Sequence, residues 1–220
     1  MSPARWNRLA AELMEISQAS LVEKPQRHEI RLLTGGFDAA CVDRRRLFLA
    51  ESENGSGRIE GFLLCNPCLD GTRWAFETYR RRPDAIRGTM PYLMHQTMRQ
   101  LQVEGVDSVS LCLVPGLHCQ TPLPGDSPLA RWSMVIATRY FSFIHDTRGM
   151  YHYKTRFRPQ FVNRYMAVRP RLSLRAAWSF VRVLGVLDLR LGNVVRQSIG
   201  RLKSASSRRM LSTPEPAAHL

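Results

Sequence analysis

The tetrapeptide Asn54-Gly55-Ser56-Gly57 constrains the fold more than any other stretch, because it separates two short apolar runs at residues 46–52 and 59–64. Asn and Gly tolerate the positive φ values that tight turns between antiparallel strands demand, so the pair reads as a β-hairpin. A second turn at Asp70-Gly71 sends the chain into a third strand over about 73–80. Met90, Leu93, Met94, Thr97 and Leu101 then recur at helical spacing. That spacing predicts a helix over 89–103, opened by Gly88 or Thr89 and closed by Gly105. Residues 106–114 read as a buried strand stopped by Pro115-Gly116. Antiparallel strands followed by a helix and a further strand make an α+β order about one central sheet.

The flanks fit around that sheet. Trp6, Leu9, Leu13 and Ile16 form the apolar stripe of a first helix, interrupted at Lys24-Pro25, and residues 34–38 read as a loop. A Pro- and Gly-rich loop at 117–128 precedes a helical stretch at 129–144, and residues 164–168 read as a strand. Cys41, Cys65, Cys68, Cys112 and Cys119 are odd in number, and no apolar leader follows Arg5 and Arg8. These features lead to the expectation of a cytoplasmic chain with reduced thiols. Cys112 reads as a small hydrophobe within its strand. Cys65-Asn-Pro-Cys68 is a CxxC with no second pair or histidine at zinc spacing, so neither a metal nor a redox role is expected. His145-Asp146 and His152 have no nucleophile placed with them by spacing and read as structural.

Charge is distributed unevenly. Residues 1–145 carry 17 Lys/Arg against 15 Asp/Glu, whereas residues 146–209 carry 15 against 2. A near-neutral body with a strongly basic last third points to nucleic acid or an anionic membrane surface. Within 149–170, Lys154, Arg156, Arg158, Arg164 and Arg169 alternate with Tyr151, Tyr153, Phe157, Phe161 and Tyr165, and no acid is present. Guanidinium forks and rings together suit a phosphate-bearing partner. The plainer reading is an amphipathic loop and strand with core aromatics. Beyond it, residues 171–203 read as a basic helical extension whose arc holds Leu174, Trp178, Val181 and Leu184, with Arg175 and Arg182 on its edge. Arg175, Arg182, Asp188 and Arg190 interrupt it too often for a membrane span, leaving a helix at an anionic bilayer surface or docked on the domain. Residues 204–220 have the composition of a disordered tail.

Near Gly88, the start of the predicted helix is surrounded by Arg80, Arg81, Arg82 and Arg87, the setting of an anion site. Two stretches here carry a family resemblance. The first is Glu77-Thr-Tyr-Arg80-Arg-Arg-Pro83-Asp84-Ala-Ile-Arg87-Gly88, running into a hydrophobic helix. The second is Gly149-Met-Tyr-His-Tyr153-Lys154-Thr-Arg156-Phe157-Arg158-Pro159, followed by Arg164-Tyr165-Met-Ala167. It is similar to a Gly-Leu-x-x-(Phe/Tyr)-Lys-x-Lys-Phe-x-Pro…Arg-Tyr-Leu-Ala pattern. With Gly36-Phe37-Asp38 upstream, the chain over about 8–170 resembles the C-terminal domain of bacterial phosphatidylglycerol lysyltransferases, the aminoacyl-phosphatidylglycerol synthases. Glu77 stands where that family usually has Asp.

The resemblance implies a fold like the GCN5-related N-acetyltransferases: a central mixed sheet flanked by helices over 1–170, to which the basic extension is appended. It also implies transfer of an aminoacyl or acyl group, from a carrier such as aminoacyl-tRNA, to a phosphatidylglycerol-type lipid at the inner membrane face. No cofactor beyond that co-substrate is implied. The family's acid and arginine would fall on Glu77 and Arg80, and its lysine on Lys154. Glu77 would accept the hydroxyl proton, while Lys154 or Arg80 would neutralise an oxyanion or phosphate. Arg81, Arg82, Arg87, Gly88, Tyr153, Arg156 and Arg164 would bind substrate. Strict strand alternation puts Glu77 and Arg80 on opposite faces, so a shared site requires a bulge or a strand end. The other readings are a catalytically silent domain of the same fold that binds anionic lipid or RNA, and an acetyl-CoA-dependent acetyltransferase. The phosphate loop of the latter is only half present in Arg87-Gly88-Thr89.

Overall fold

Strand β2 (Ile59–Cys68) is buried from Ile59 to Cys65 apart from Glu60, and the other layers are built against it. Its residues are apolar at successive positions, as a strand covered on both faces requires. The computed structural model describes residues 3–22, 36–42, 44–117, 119–140, 147–165, 169 and 173–183. Within them β2 pairs antiparallel with β1 (Arg46–Glu51) on one side and with β3 (Arg73–Arg81) on the other. A short β4 (Ser108–Ser110) lies parallel to β3, giving the sheet order β1-β2-β3-β4.

One face of the sheet carries helix α1 (Pro3–Val22). Leu13 and Ile16 of α1 pack with Phe37, Ile59 and Phe62, and Phe37 meets Phe62 edge-on at 5.2 Å. The other face carries α2 (Thr89–Val103), whose Met90, Leu93, Met94 and Leu101 close over Leu63, Cys65 and Phe76. Each large apolar side chain removed from water here contributes about 1.5–3 kcal/mol. Gly61 fits because a Cβ there would lie 2.9 Å from the Arg80 carbonyl oxygen and 3.1 Å from Met90 Cε. Three further helices follow: α3 (Pro128–Tyr140), α4 (Thr147–Thr155) and α5 (Leu174–Val183). The architecture is the expected α+β one, a mixed sheet flanked by helices.

Two polar ties fix the helices. Arg82 donates from Nε to the Ile59 carbonyl (2.8 Å), and its fork takes Glu12 (2.9 Å) and Glu15 (3.1 Å) of α1. Glu12 in turn accepts from the Ile59 N–H. Both backbone groups of the first β2 residue are thereby satisfied by an ion pair that also holds α1. On the opposite face, the Arg46 fork of β1 grips the carboxylate of Glu104 just past α2, and it lies over the rings of Phe48 and Trp74.

The structure departs from the sequence reading in three places. The strand expected over 106–114 is ordered as β only at Ser108–Ser110, because Cys112 turns into left-handed backbone (φ 62) and leaves the sheet. The expected loop-and-strand at 149–170 opens instead as helix α4. Arg164 and Tyr165 are not in a strand, and 166–168 lie outside the described residues. Cys65-Asn-Pro-Cys68 lies within β2 rather than after it. The Lys24-Pro25 break, the first part of the 34–38 loop, residues 141–146, the extension after 183 and the tail from 204 also lie outside the described residues.

The Arg46–Glu104 tie yields a pH prediction. Its hydrogen bonds from Arg46 and Gln100 hold the Glu104 carboxyl at about 2, against an ordinary 4.5. A carboxyl depressed in the folded state gives stability that is present above the unfolded pKa and is lost as pH falls through the folded one. Wild type should therefore exceed Glu104→Gln in thermal stability near neutrality, and the gap should close between pH 4.5 and about 2. A gap independent of pH over that range would contradict the assignment.

Candidate functional site

The site forms where the sheet comes apart on the far side of β3. Leu64 pairs with Thr78 and Cys65 with Phe76, so Glu77 is the extra residue of a β-bulge. The slip lets Phe76 and Tyr79, three apart, both pack on the α2 side. It also frees Glu77 from alternation. Its Oε2 accepts from Asn66 Nδ2 at 2.5 Å and lies 3.6 Å from Arg45. Asn66 alternates with Leu64 and Phe62, and Phe62 is the β2 partner of Arg80. The bulge thus supplies the condition under which Glu77 and Arg80 share a side of β3. Among the described residues no hydrogen bond reaches Glu77 Oε1, which leaves that oxygen as an acceptor.

Helix α4 delivers Lys154 from the other end of the chain. Tyr153 and Phe157, four apart, pack against the α2 core. Tyr153 stacks on Tyr79 at 6.3 Å, and its hydroxyl donates to Met94 Sδ at 3.1 Å. Burial pushes the Tyr153 hydroxyl up to about 12, so it stays protonated as a donor. The helix ends as Phe157 N–H and Arg158 N–H return to the carbonyls of Lys154 and Thr155. Arg158 takes φ 49 directly before Pro159. This geometry turns Lys154 inward. Only 4% exposed, its Nζ donates to the carbonyls of Leu113 (2.9 Å) and Cys112 (3.2 Å). Two of its three N–H groups are committed there, and among the described residues no acceptor meets the third, which leaves it for a substrate atom. Burial lowers the Lys154 pKa from its ordinary value.

Cys112 links the two segments. Its Sγ lies 3.3 Å from the Phe76 carbonyl, one residue before Glu77. Cys112 is exposed as a residue, yet local desolvation pushes its thiol up. Lys154 pulls it down, while Glu77 and Cys68 push it further up. Cys112 therefore meets both segments, through its Sγ at Phe76 and through its carbonyl at Lys154. The sequence reading takes Cys112 as a strand hydrophobe, and Pro115, which marks the end of the expected strand, gives no signal that it stops at Ser110. Cys65 is buried with its thiol pushed to about 12, which leaves it unreactive.

The remaining cations divide into buried and exposed. Arg80 is 4% exposed and donates to the Tyr79 carbonyl at 3.0 Å. Arg81 donates to the carbonyls of Arg82 and Pro83. The Arg82 fork is engaged with α1, as described above. Arg87 is exposed; Gly88, at φ 101, opens α2. The helix start offers fewer donors than usual, because Thr89 N–H goes to the Ile86 carbonyl and Pro91 has no N–H. Arg156 is exposed beside His152, and Arg164 is exposed on the segment after α4. Among the described residues no group of three His, Cys, Asp or Glu is placed to hold a metal, and no helix is long and apolar enough to cross a membrane.

Removing the ammonium should be felt in the fold. Lys154→Met removes both hydrogen bonds from the ammonium to the Cys112 and Leu113 carbonyls, and a hydrogen bond to a charged group contributes about 1.5–3 kcal/mol. Urea unfolding should show a loss of that order; an unchanged midpoint would mean the carbonyls do not depend on Lys154.

Comparison with known proteins follows from this geometry. No curated protein matches the chain. Among solved structures, L-PGS from Bacillus licheniformis matches with a TM-score of 0.46 and 18% identity, over 73% of this chain and 45% of that one. The chain thus spans less than half the length of that relative. The family described as "Phosphatidylglycerol lysyltransferase, C-terminal" matches residues 2–168, which include the β3 bulge, the divergent strand and Lys154. The chain belongs to the phosphatidylglycerol lysyltransferase C-terminal domain family.

Proposed function

We propose that residues 1–170 form an aminoacyltransferase domain that moves an aminoacyl group from an ester carrier, such as aminoacyl-tRNA, to a hydroxyl of phosphatidylglycerol or a related lipid. The observation that carries this reading is that Cys112 meets both segments: its Sγ lies 3.3 Å from the Phe76 carbonyl, one residue before Glu77, and its own carbonyl accepts from Lys154 Nζ at 3.2 Å. Family membership supplies the reaction class.

In this reading the lipid hydroxyl oxygen attacks the carbonyl carbon of the aminoacyl ester, and Glu77 Oε1 takes the hydroxyl proton. The one uncommitted N–H of Lys154 faces the oxyanion of the tetrahedral intermediate. Collapse breaks the bond to the carrier oxygen, which leaves with the proton returned by Glu77. One ester is exchanged for another, and no cofactor is required. Asn66 and Arg45 hold Oε2 so that Oε1 stays aimed at the reacting hydroxyl, a positioning role. Arg80 adds buried positive charge on the Glu77 side of β3. The exposed Arg87, Arg156 and Arg164 suit phosphates of the carrier or the lipid headgroup, and the basic extension 171–203 gives peripheral contact with an anionic membrane face.

The test is reconstitution with lysyl-tRNA and phosphatidylglycerol, followed by chromatography of the lipids. Wild type should form lysylated lipid, and Glu77→Gln should lower kcat by roughly 100- to 10,000-fold, the usual range for a lost general base. Salt-sensitive lipid or RNA binding by wild type without any lysylated product would favour the catalytically silent module instead.

A further inference from the structure

Over residues 128–136, helix α3 leaves its large apolar side chains largely exposed. Leu129, Trp132 and Ile136 are 61%, 60% and 45% exposed. Spacings of three and four place them in one stripe along the helix. Single exposed apolar residues need no explanation, but a stripe containing Trp on one helix marks a contact surface.

Charge selects the occupant. Residues 128–183 carry eleven Lys and Arg against one acid, Asp146. A second copy would bring this excess of positive charge against itself, which is repulsive. RNA would engage the arginines and rings but would leave Leu129 and Ile136 in water. An anionic bilayer takes both, since Trp and aliphatic side chains enter the headgroup boundary while the basic residues meet the surface potential. We propose that the stripe of Leu129, Trp132 and Ile136 is a docking surface for an anionic bilayer. The proposal deepens the functional reading above and rests on it for the lipid being a substrate as well as a surface.

The test is co-sedimentation of the full chain with vesicles of phosphatidylglycerol and phosphatidylcholine, and with phosphatidylcholine alone, at physiological salt. Wild type should bind the anionic vesicles and bind the neutral ones far less. Trp132→Ser/Ile136→Ser should weaken anionic binding by roughly tenfold or more. Because both side chains are exposed, its circular dichroism and thermal unfolding should match wild type. It should also retain aminoacyl transfer to detergent-dispersed lipid, where no bilayer has to be found, so loss of docking is distinguishable from loss of the reaction. The proposal would be overturned by absence of vesicle binding by wild type, equal binding to neutral vesicles, a double variant that binds as tightly as wild type, or a dimer in light scattering that the double variant dissolves. Loss of binding confined to Leu174→Ser/Trp178→Ser would move the surface to α5 and overturn it as well.

Discussion

A buried ammonium on two backbone carbonyls organises this domain. Once Cys112 turns away from β3, its carbonyl and that of Leu113 have no strand partner, and Lys154 supplies the missing donors. A charged group held this far from water is costly, and it persists only when its hydrogen bonds are made. The cost of the left-handed backbone at Cys112, roughly 1–2 kcal/mol for a residue with a Cβ, is of the same kind. Sheet, helix α4 and Lys154 therefore specify one another: the strand diverges where the ammonium can reach it, and the helix is oriented so that it does.

The rest of the fold holds the two sides of that contact still. Helices α1 and α2 clamp β2 from opposite faces, and by charge as well as by packing Arg82 fastens the middle of α1 and Arg46 the end of α2. The stack of Tyr79 on Tyr153 ties β3 directly to α4, one residue before Arg80 and one before Lys154. On β3, the bulge at Glu77 turns an acidic residue from strict alternation toward Asn66 and the side of Arg80. An acid and a cation from distant segments are thus brought to the opening in the sheet by devices that are each local: one bulge, one ring stack and one left-handed residue.

What was legible in the sequence follows from how local each cause is. The Asn54-Gly55-Ser56-Gly57 turn, the apolar β2 and the stripe of Met90, Leu93, Met94, Thr97 and Leu101 are written in short-range spacing, and they appear where expected. The motif around Lys154 gave the family. The short β4 was not legible, because its end is set by a side chain some forty residues away. Helix α4 was hidden as well: Gly149 and the aromatic residues weaken its intrinsic propensity, and Tyr153 and Phe157 stabilise it only through tertiary packing. The burial of Lys154 followed the same logic, since a lysine among arginines reads as solvated until the carbonyls it serves are known. The bulge was foreseen only as a requirement, and its position came from the register of β2 against β3.

A crystal structure of Lys154→Met tests the organising contact most directly. With the ammonium gone, residues 111–114 should leave their present path, Cys112 should abandon its left-handed φ of 62, and β4 should lengthen along β3. A variant whose backbone over 111–114 superimposes on wild type, with Cys112 still left-handed, would contradict the account.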